Sequence, residues 1–203
     1  MTIWAIVPVK PLRIGKSRLS GVLSQDQRTQ LNRRLLEHTL STLSEIQDID
    51  HILVISRDPA ALAIARNQGA RTLLEEGSPH LNTALDRATA LAKARSAHAV
   101  LILPADLPRI SAADVNAVLR RGKTPPVVVL APDRREDGTN ALFIHPAGLI
   151  EYGYGPGSYQ RHRERAAAAG AKLTIVTRPA LGLDLDLPED LQLLDGLQEL
   201  GLL

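Results

Sequence analysis

The chain has 203 residues, 44% hydrophobic and 23% charged, with a formal net charge of +2 and a sequence pI of about 9.1. That length supports one domain, 1–203, with a substantial core. No apolar run approaches the roughly 20 residues of a membrane span, and the lack of cysteine excludes disulfides, thiolate zinc sites and a cysteine nucleophile.

The N-terminus reads as a strand with no basic segment ahead of an apolar one. No signal peptide is expected, and the reading is a cytoplasmic protein. The basic residues are scattered, as in Arg33-Arg34, Arg120-Arg121 and Arg134-Arg135. The five aromatics, Trp4, Phe143, Tyr152, Tyr154 and Tyr159, provide few stacking platforms, so the arginines read as solvated helix faces and no nucleic-acid partner is expected.

Residues 3–7 read as a buried strand that runs into a basic loop, Lys10 to Arg18. Ser24 and Gln27 form a capping box, and Leu31, Leu35, Leu36, Leu40, Leu43 and Ile46 carry a helical stripe behind it. A strand over His51–Ile55 follows, then a helix from Pro59 to Asn67 with proline in its first turn and Gly69 after its end. Arg71–Leu74 is a brief strand, Leu81 to Ser96 a helix, and Ala99–Leu103 a strand ending in Pro104-Ala105-Asp106-Leu107-Pro108. Ser111 caps a helix to about Arg120, and strands follow at Val127–Leu130 and Asn140–Ile144. Ser158, as an N-cap, opens a helix to Ala169 closed by Gly170. Lys172–Thr177 is a strand, and a helix is expected from Pro188 to about Leu200. Continuous apolar strands alternating with amphipathic helices predict a mostly parallel sheet covered on both faces, with its ligand beyond the carboxyl ends of the strands.

That rule puts the Lys10–Arg18 loop and Asp106 on one rim. Gly15-Lys16-Ser17 resembles the end of a phosphate-binding P-loop, but Lys10 stands where that motif needs a glycine and Pro11 lacks a donor. The loop therefore reads as a clamp of three cations, Lys10, Lys16 and Arg18, for a triphosphate. Asp106, Asp184 and Asp186 supply carboxylates from two separate strand ends, the number and type of ligand that Mg²⁺ takes in phosphoryl transfer. Read singly, Asp186 is equally a helix cap ahead of Pro188. Thr139 and Asn140, behind an Asp137-Gly138 turn, suit a second anion, as does Gly155-Pro156-Gly157-Ser158 at a helix start, with Arg161 and His162 nearby. His38, His51, His80, His98 and His145 show no metal-ligand spacing, and no nucleophile elbow occurs. Two anion sites, one metal site and no nucleophile of its own fit nucleotidyl transfer to an oxygen of a second substrate.

Val7-Pro8-Val9-Lys10, Lys16-Ser17-Arg18-Leu19, Leu81-Asn82-Thr83-Ala84-Leu85, Pro104 to Pro108, Asp137-Gly138-Thr139-Asn140, Gly155 to Tyr159 and Leu183 to Leu191 occur in an order that resembles the phospho-acid guanylyltransferases of deazaflavin coenzyme (coenzyme F-420) biosynthesis. The resemblance covers nearly the whole chain. It implies a Rossmann-like nucleotidyltransferase fold similar to the molybdenum-cofactor guanylyltransferases and the GT-A class, a three-layer sandwich. It also implies GTP as co-substrate and Mg²⁺.

By that resemblance the nucleotide lies against Pro8, Lys10, Gly15, Lys16 and Arg18, with Asn82 near its ribose or base. Asp106, Asp184 and Asp186 hold the metal, Thr139, Asn140, Gly155 and Ser158 the phospho-acid, and Lys16, Arg18 and Asp106 take part in the chemistry. The residues alone read equally with guanine, adenine or cytosine. The expected acid is phosphoenolpyruvate, with 2-phospho-L-lactate, 3-phospho-D-glycerate or another phosphorylated acceptor as alternatives. A GTP-sensing module without turnover is the non-enzymatic rival, and a homodimer is allowed by analogy.

Overall fold

The computed structural model describes residues 1–77 and 80–193. Its centre is a seven-stranded sheet ordered β3-β2-β1-β4-β6-β5-β7. The strands are β1 (Ile3–Val9), β2 (His51–Ser56), β3 (Arg71–Leu74), β4 (Ala99–Ile102), β5 (Val127–Pro132), β6 (Thr139–His145) and β7 (Lys172–Ile175). The helices are α1 (Gln25–Ser44), α2 (Pro59–Asn67), α3 (Leu81–Ala94), α4 (Ala112–Leu119), α5 (Ser158–Ala168), α6 (Pro179–Gly182) and α7 (Pro188–Gln192).

Pairing is parallel between β1 and β2, β1 and β4, β2 and β3, and β5 and β7. β6 alone is reversed, antiparallel to both β4 and β5. The cause is local. Asp133 Oδ1 accepts from the N–H groups of Arg135 and Asp137, turning the chain straight back from β5 into β6. A parallel pairing would have needed a crossover of a dozen or more residues.

Two apolar layers cover the sheet. One packs α1, α2, α4 and α6 on Ala5, Val7, Leu101, Val129 and Phe143. The other packs α3 and α5 on Ile6, Leu53, Val100, Ile102 and Leu142. This is the expected three-layer sandwich. The Ser24–Gln27 capping box forms, and Asp58 caps α2 through the Ala60 N–H at 2.9 Å. α3 stops at Ala94 rather than Ser96. α6 and a 3₁₀ turn at Ser17–Leu19 have no counterpart among the expected elements. The helix expected to about Leu200 is present over Pro188–Gln192 with Leu193 as its C-cap, and the span from 194 on lies outside the described residues.

A third, smaller apolar cluster decides where the site forms. Leu19, Leu23, Leu31 and Leu35 pack with Leu183 and Leu185. In the sequence Leu183-Asp184-Leu185-Asp186 the chain is extended, so successive side chains point to opposite sides. The leucines enter the cluster and the aspartates face the other way. Burying Leu185 contributes about 1.5–3 kcal/mol, and the Leu185 N–H donates to the Asp106 carbonyl at 3.0 Å. Together these dock the tail segment against the loop that follows β4.

Candidate active site

The basic loop leaves β1 and is tied down on three sides. The Leu12 N–H donates to Asp58 Oδ2 at 2.8 Å, Asn32 Nδ2 donates to the Leu12 carbonyl at 2.7 Å, and the Ile14 and Gly15 N–H groups both donate to the Pro11 carbonyl. Pro8 sits within β1 opposite Ile55, and Lys10 emerges exposed at its end. Gly15 is buried, and a Cβ there would lie 2.7 Å from Asn32 Nδ2. A larger residue there would have to displace the Asn32 side chain from its bond to Leu12, and the Gly15 N–H donates to the Pro11 carbonyl.

Lys16 follows with φ +57°, in the left-handed region, at a cost of about 1–3 kcal/mol. Its Nζ lies 3.3 Å from Asp106 Oδ2 and 3.2 Å from Asp186 Oδ1, and the side chain is only 7% exposed. Arg18 remains largely exposed, and its guanidinium reaches Asp186 Oδ2 at 3.5 Å. Burial is the largest influence on the Lys16 ammonium and pulls its pKa down. The charges of Asp106 and Asp186 more than offset this and hold it above the ordinary lysine value.

The carboxylates differ in state. Burial, then the negative charge of Asp106, raises the Asp184 carboxyl above the usual range, against a hydrogen bond from Asn140. Burial also opposes ionisation of Asp186, but Lys16, Lys10 and Arg18 outweigh it and hold that carboxyl below the usual range. Asp186 does not cap α7. Asp190 does so, accepting from the Asp186 N–H at 2.9 Å and the Leu187 N–H at 2.6 Å while pairing with Arg134. The Asp186 carboxylate is thereby left for the cations.

Among the described residues no group of three His, Cys, Asp or Glu side chains is gathered to hold a metal. Mg²⁺ needs only one or two carboxylates, with phosphate oxygens and water completing its shell. The donor set is hard oxygen, and the repulsion that raises Asp184 is one that a cation relieves. In chemical character the residues fit a divalent ion.

On the opposite wall β6 presents Thr139 and Asn140, both buried. Asn140 Nδ2 donates to the Leu181 carbonyl at 2.9 Å and lies 3.4 Å from Asp184 Oδ1, joining this wall to the acidic cluster. Thr139 Oγ1 lies 3.0 Å from His162 Nδ1 and 3.4 Å from Ser158 Oγ. Ser158 is the first helical residue of α5, not its N-cap. Gly157, at φ +70°, is the cap residue. The Gly157 N–H donates to the Asp137 carboxylate and the Tyr159 N–H to the Asp137 carbonyl, so the turn before β6 supplies the cap and leaves the Ser158 hydroxyl to face Thr139.

Gly155, at φ +120°, has open space around its would-be Cβ. Arg161 donates through Nε to the Gly153 carbonyl and through Nη2 to the Pro156 carbonyl. Asn82, expected at the nucleotide, spends its amide on the backbone of Tyr154. It donates to that carbonyl at 3.3 Å and accepts from that N–H at 2.8 Å. His38 and His145 bind backbone carbonyls, and His98 accepts from the Thr2 N–H, as expected of structural histidines.

An α/β sheet with cations and carboxylates gathered beyond its first and fourth strands defines the class: a nucleotidyltransferase. The fold is shared with a nucleotide-diphospho-sugar transferase structure from Desulfovibrio desulfuricans (TM-score 0.77, 16% identity, 96% of this chain and 87% of that one). It is also shared with a nucleotidyl transferase from Methanothermobacter (TM-score 0.70, 15% identity, 98% of each chain). The family described as "Guanylyl transferase CofC like" matches residues 3–196, and the chain belongs to that family. It is 41% identical to the phosphoenolpyruvate guanylyltransferase of Rubrobacter xylanophilus, over 97% of this chain and 95% of that protein. To the protein of the same name from Sphaerobacter thermophilus it is 38% identical, over 99% and 96%. The protein is an enzyme of the guanylyl-transferring kind. No helix among the described residues is long and apolar enough to cross a membrane.

Proposed function

We propose that this enzyme condenses GTP with phosphoenolpyruvate, giving enolpyruvoyl-diphospho-guanosine and pyrophosphate, as a step of coenzyme F-420 biosynthesis. The observation that carries the reading is the 3.4 Å contact between Asn140, the neighbour of Thr139, and Asp184, two residues before Asp186 in the Lys16–Asp106–Asp186 cluster. Two phosphate-bearing substrates held on these two walls meet at the acidic cluster. The names of the relatives supply guanine and phosphoenolpyruvate.

A phosphate oxygen of the acid attacks the α-phosphorus of GTP. The bond from that phosphorus to the bridging oxygen of the β-phosphate breaks, and its electron pair leaves with pyrophosphate. The attacking oxygen already carries charge near neutral pH, because the second phosphate pKa lies near 6, so no protein nucleophile or general base is required. Lys10, Lys16 and Arg18 neutralise the triphosphate and the charge that builds on the leaving group. Asp106, Asp184 and Asp186 would hold Mg²⁺, which supplies Lewis-acid polarisation of the phosphoryl oxygens. Thr139, Asn140, Ser158 and the Gly155 backbone hold the acid, while Pro8, Gly15 and Asn82 frame the nucleotide side.

The test is pyrophosphate release with GTP and Mg²⁺, offering phosphoenolpyruvate, 2-phospho-L-lactate and 3-phospho-D-glycerate separately, with the product identified by mass. Release with phosphoenolpyruvate and a product of that acid joined to GMP is expected. Release only with another acid overturns the assignment of the acceptor.

A further inference from the structure

His162 is fully buried, and both ring nitrogens have partners. Nε2 lies 3.0 Å from the Gly153 backbone nitrogen, and Nδ1 lies 3.0 Å from Thr139 Oγ1. A backbone N–H can only donate, so Nε2 must be the bare, accepting nitrogen. A neutral imidazole then carries its proton on Nδ1, which donates to Thr139. The ring is neutral because burial, and then the charges of Arg165 and Arg161, bring its pKa down to about 4. Its orientation is fixed by the Tyr154 ring, packed edge-on at a centroid distance of 4.9 Å. Tyr154 in turn is gripped through its backbone by Asn82.

The consequence lies in the protons of Thr139 and Ser158. Their two hydroxyls hold two protons and share one bond, at 3.4 Å. Because His162 donates to Thr139, neither hydroxyl proton is used on the ring. One remains over, whichever of the two donates to the other. With the opposite tautomer Thr139 would spend its proton on the imidazole and Ser158 would spend its proton on Thr139, leaving the pair with only lone pairs to present to an anion.

We propose that His162 is a positioning residue that makes the Thr139–Ser158 pair a net hydrogen-bond donor, and so selects an anionic acceptor substrate at this wall. The inference rests on the reading that the phospho-acid binds there. His162 touches no substrate. Its effect passes through Thr139 from the Gly153 N–H, at the foot of the loop that carries Gly155.

Two variants separate the ring's two functions. His162→Asn places an amide donor where Nδ1 stood and loses the acceptor for Gly153. His162→Gln offers an acceptor where Nε2 stood and loses the donor to Thr139. His162→Gln should raise KM for the acid about tenfold or more, with KM for GTP unchanged, while His162→Asn retains most of the wild-type KM for the acid. In a Thr139→Val background, His162→Gln should add little further loss, because both changes remove the same donor.

Equal loss in the two single variants, or full additivity with Thr139→Val, overturns the positioning role. If Thr139→Val itself leaves KM for the acid unchanged, the location of the acid is wrong and not the tautomer argument. Long-range ¹⁵N–¹H correlation on the wild-type protein tests the tautomer without any variant. A proton on Nδ1 is expected, and a proton on Nε2 overturns the proposal.

Discussion

The ammonium of Lys16 lies 3.2 Å from the carboxylate of Asp186, 170 residues away along the chain. The contact closes a ring. The loop after β1 and the tail before α7 meet over Asp106, with the Leu19–Leu185 cluster as their common floor. Lys16 is thus the counter-charge of two of the three aspartates.

Lys16→Met should lower turnover by about 10²-fold or more, since one group aimed at the developing charge is worth that much. The variant also leaves Asp106 and Asp186 without their shared ammonium. Added Mg²⁺ should therefore raise its melting temperature more than it raises that of the wild type, and equal shifts in a thermal scan would show that Lys16 and the metal do not share these carboxylates.

Asp106→Asn and Asp184→Asn should each cut turnover by about 10²-fold or more, because the charge stabilisation of a bound metal is worth several kcal/mol. Asp106→Asn removes a negative charge that helps raise the Asp184 carboxyl. The titration of Asp184, followed by carboxyl ¹³C NMR, should move down towards the ordinary value of about 3.9. Near-normal turnover in both variants argues against the metal assignment.

Thr139→Ala and Ser158→Ala should weaken the phospho-acid far more than GTP, each losing a hydrogen bond to a charged group of about 1.5–3 kcal/mol. Apparent KM values for the two substrates decide this. A loss confined to GTP would mean that the two walls are assigned the wrong way round.

Asp190 is fully buried and satisfies the Asp186 and Leu187 N–H groups together with Arg134. Asp190→Ala leaves those donors without their acceptor, at a cost of about 2–3 kcal/mol. Urea unfolding should show the loss, and turnover should fall with it because the Asp186 segment loses its anchor. Unchanged stability would contradict the anchoring role.

His162 titrates at about 4 in the folded protein, against about 6.5 when exposed. Between those values the unfolded chain binds a proton that the native state does not, so stability falls as pH drops from about 6.5 towards 4 and this contribution levels off below that. The effect amounts to at most about 3 kcal/mol. Urea midpoints at pH 5 and pH 7 should differ more for the wild type than for His162→Asn. An equal pH dependence in the two proteins would show that the imidazole is not held neutral.

Much of the fold could be read locally. The helix Pro59–Asn67 and the strand Arg71–Leu74 stand where their patterns put them, and the capping box at Ser24 forms as spelled. These follow from short-range forces: proline's fixed φ, the spacing of apolar faces, and a hydroxyl within reach of its own helix start. The alternation in Leu183-Asp184-Leu185-Asp186 likewise put both carboxylates on one side. The ordered motifs pointed to the guanylyltransferase family to which the chain belongs.

Partnership was decided only in three dimensions. The sequence shows a glycine in the basic loop, and only the fold sets Gly15 against the Asn32 side chain, with its N–H donating to Pro11. Ser158 looked like a cap until Asp137, folded over from the neighbouring turn, took that role. The burial of the Lys16 ammonium depends on carboxylates 90 and 170 residues away along the chain. Local propensity and periodicity are properties of a few consecutive residues. Which donor meets which acceptor is settled by packing over the whole chain, and the polarity of the site is made of those meetings.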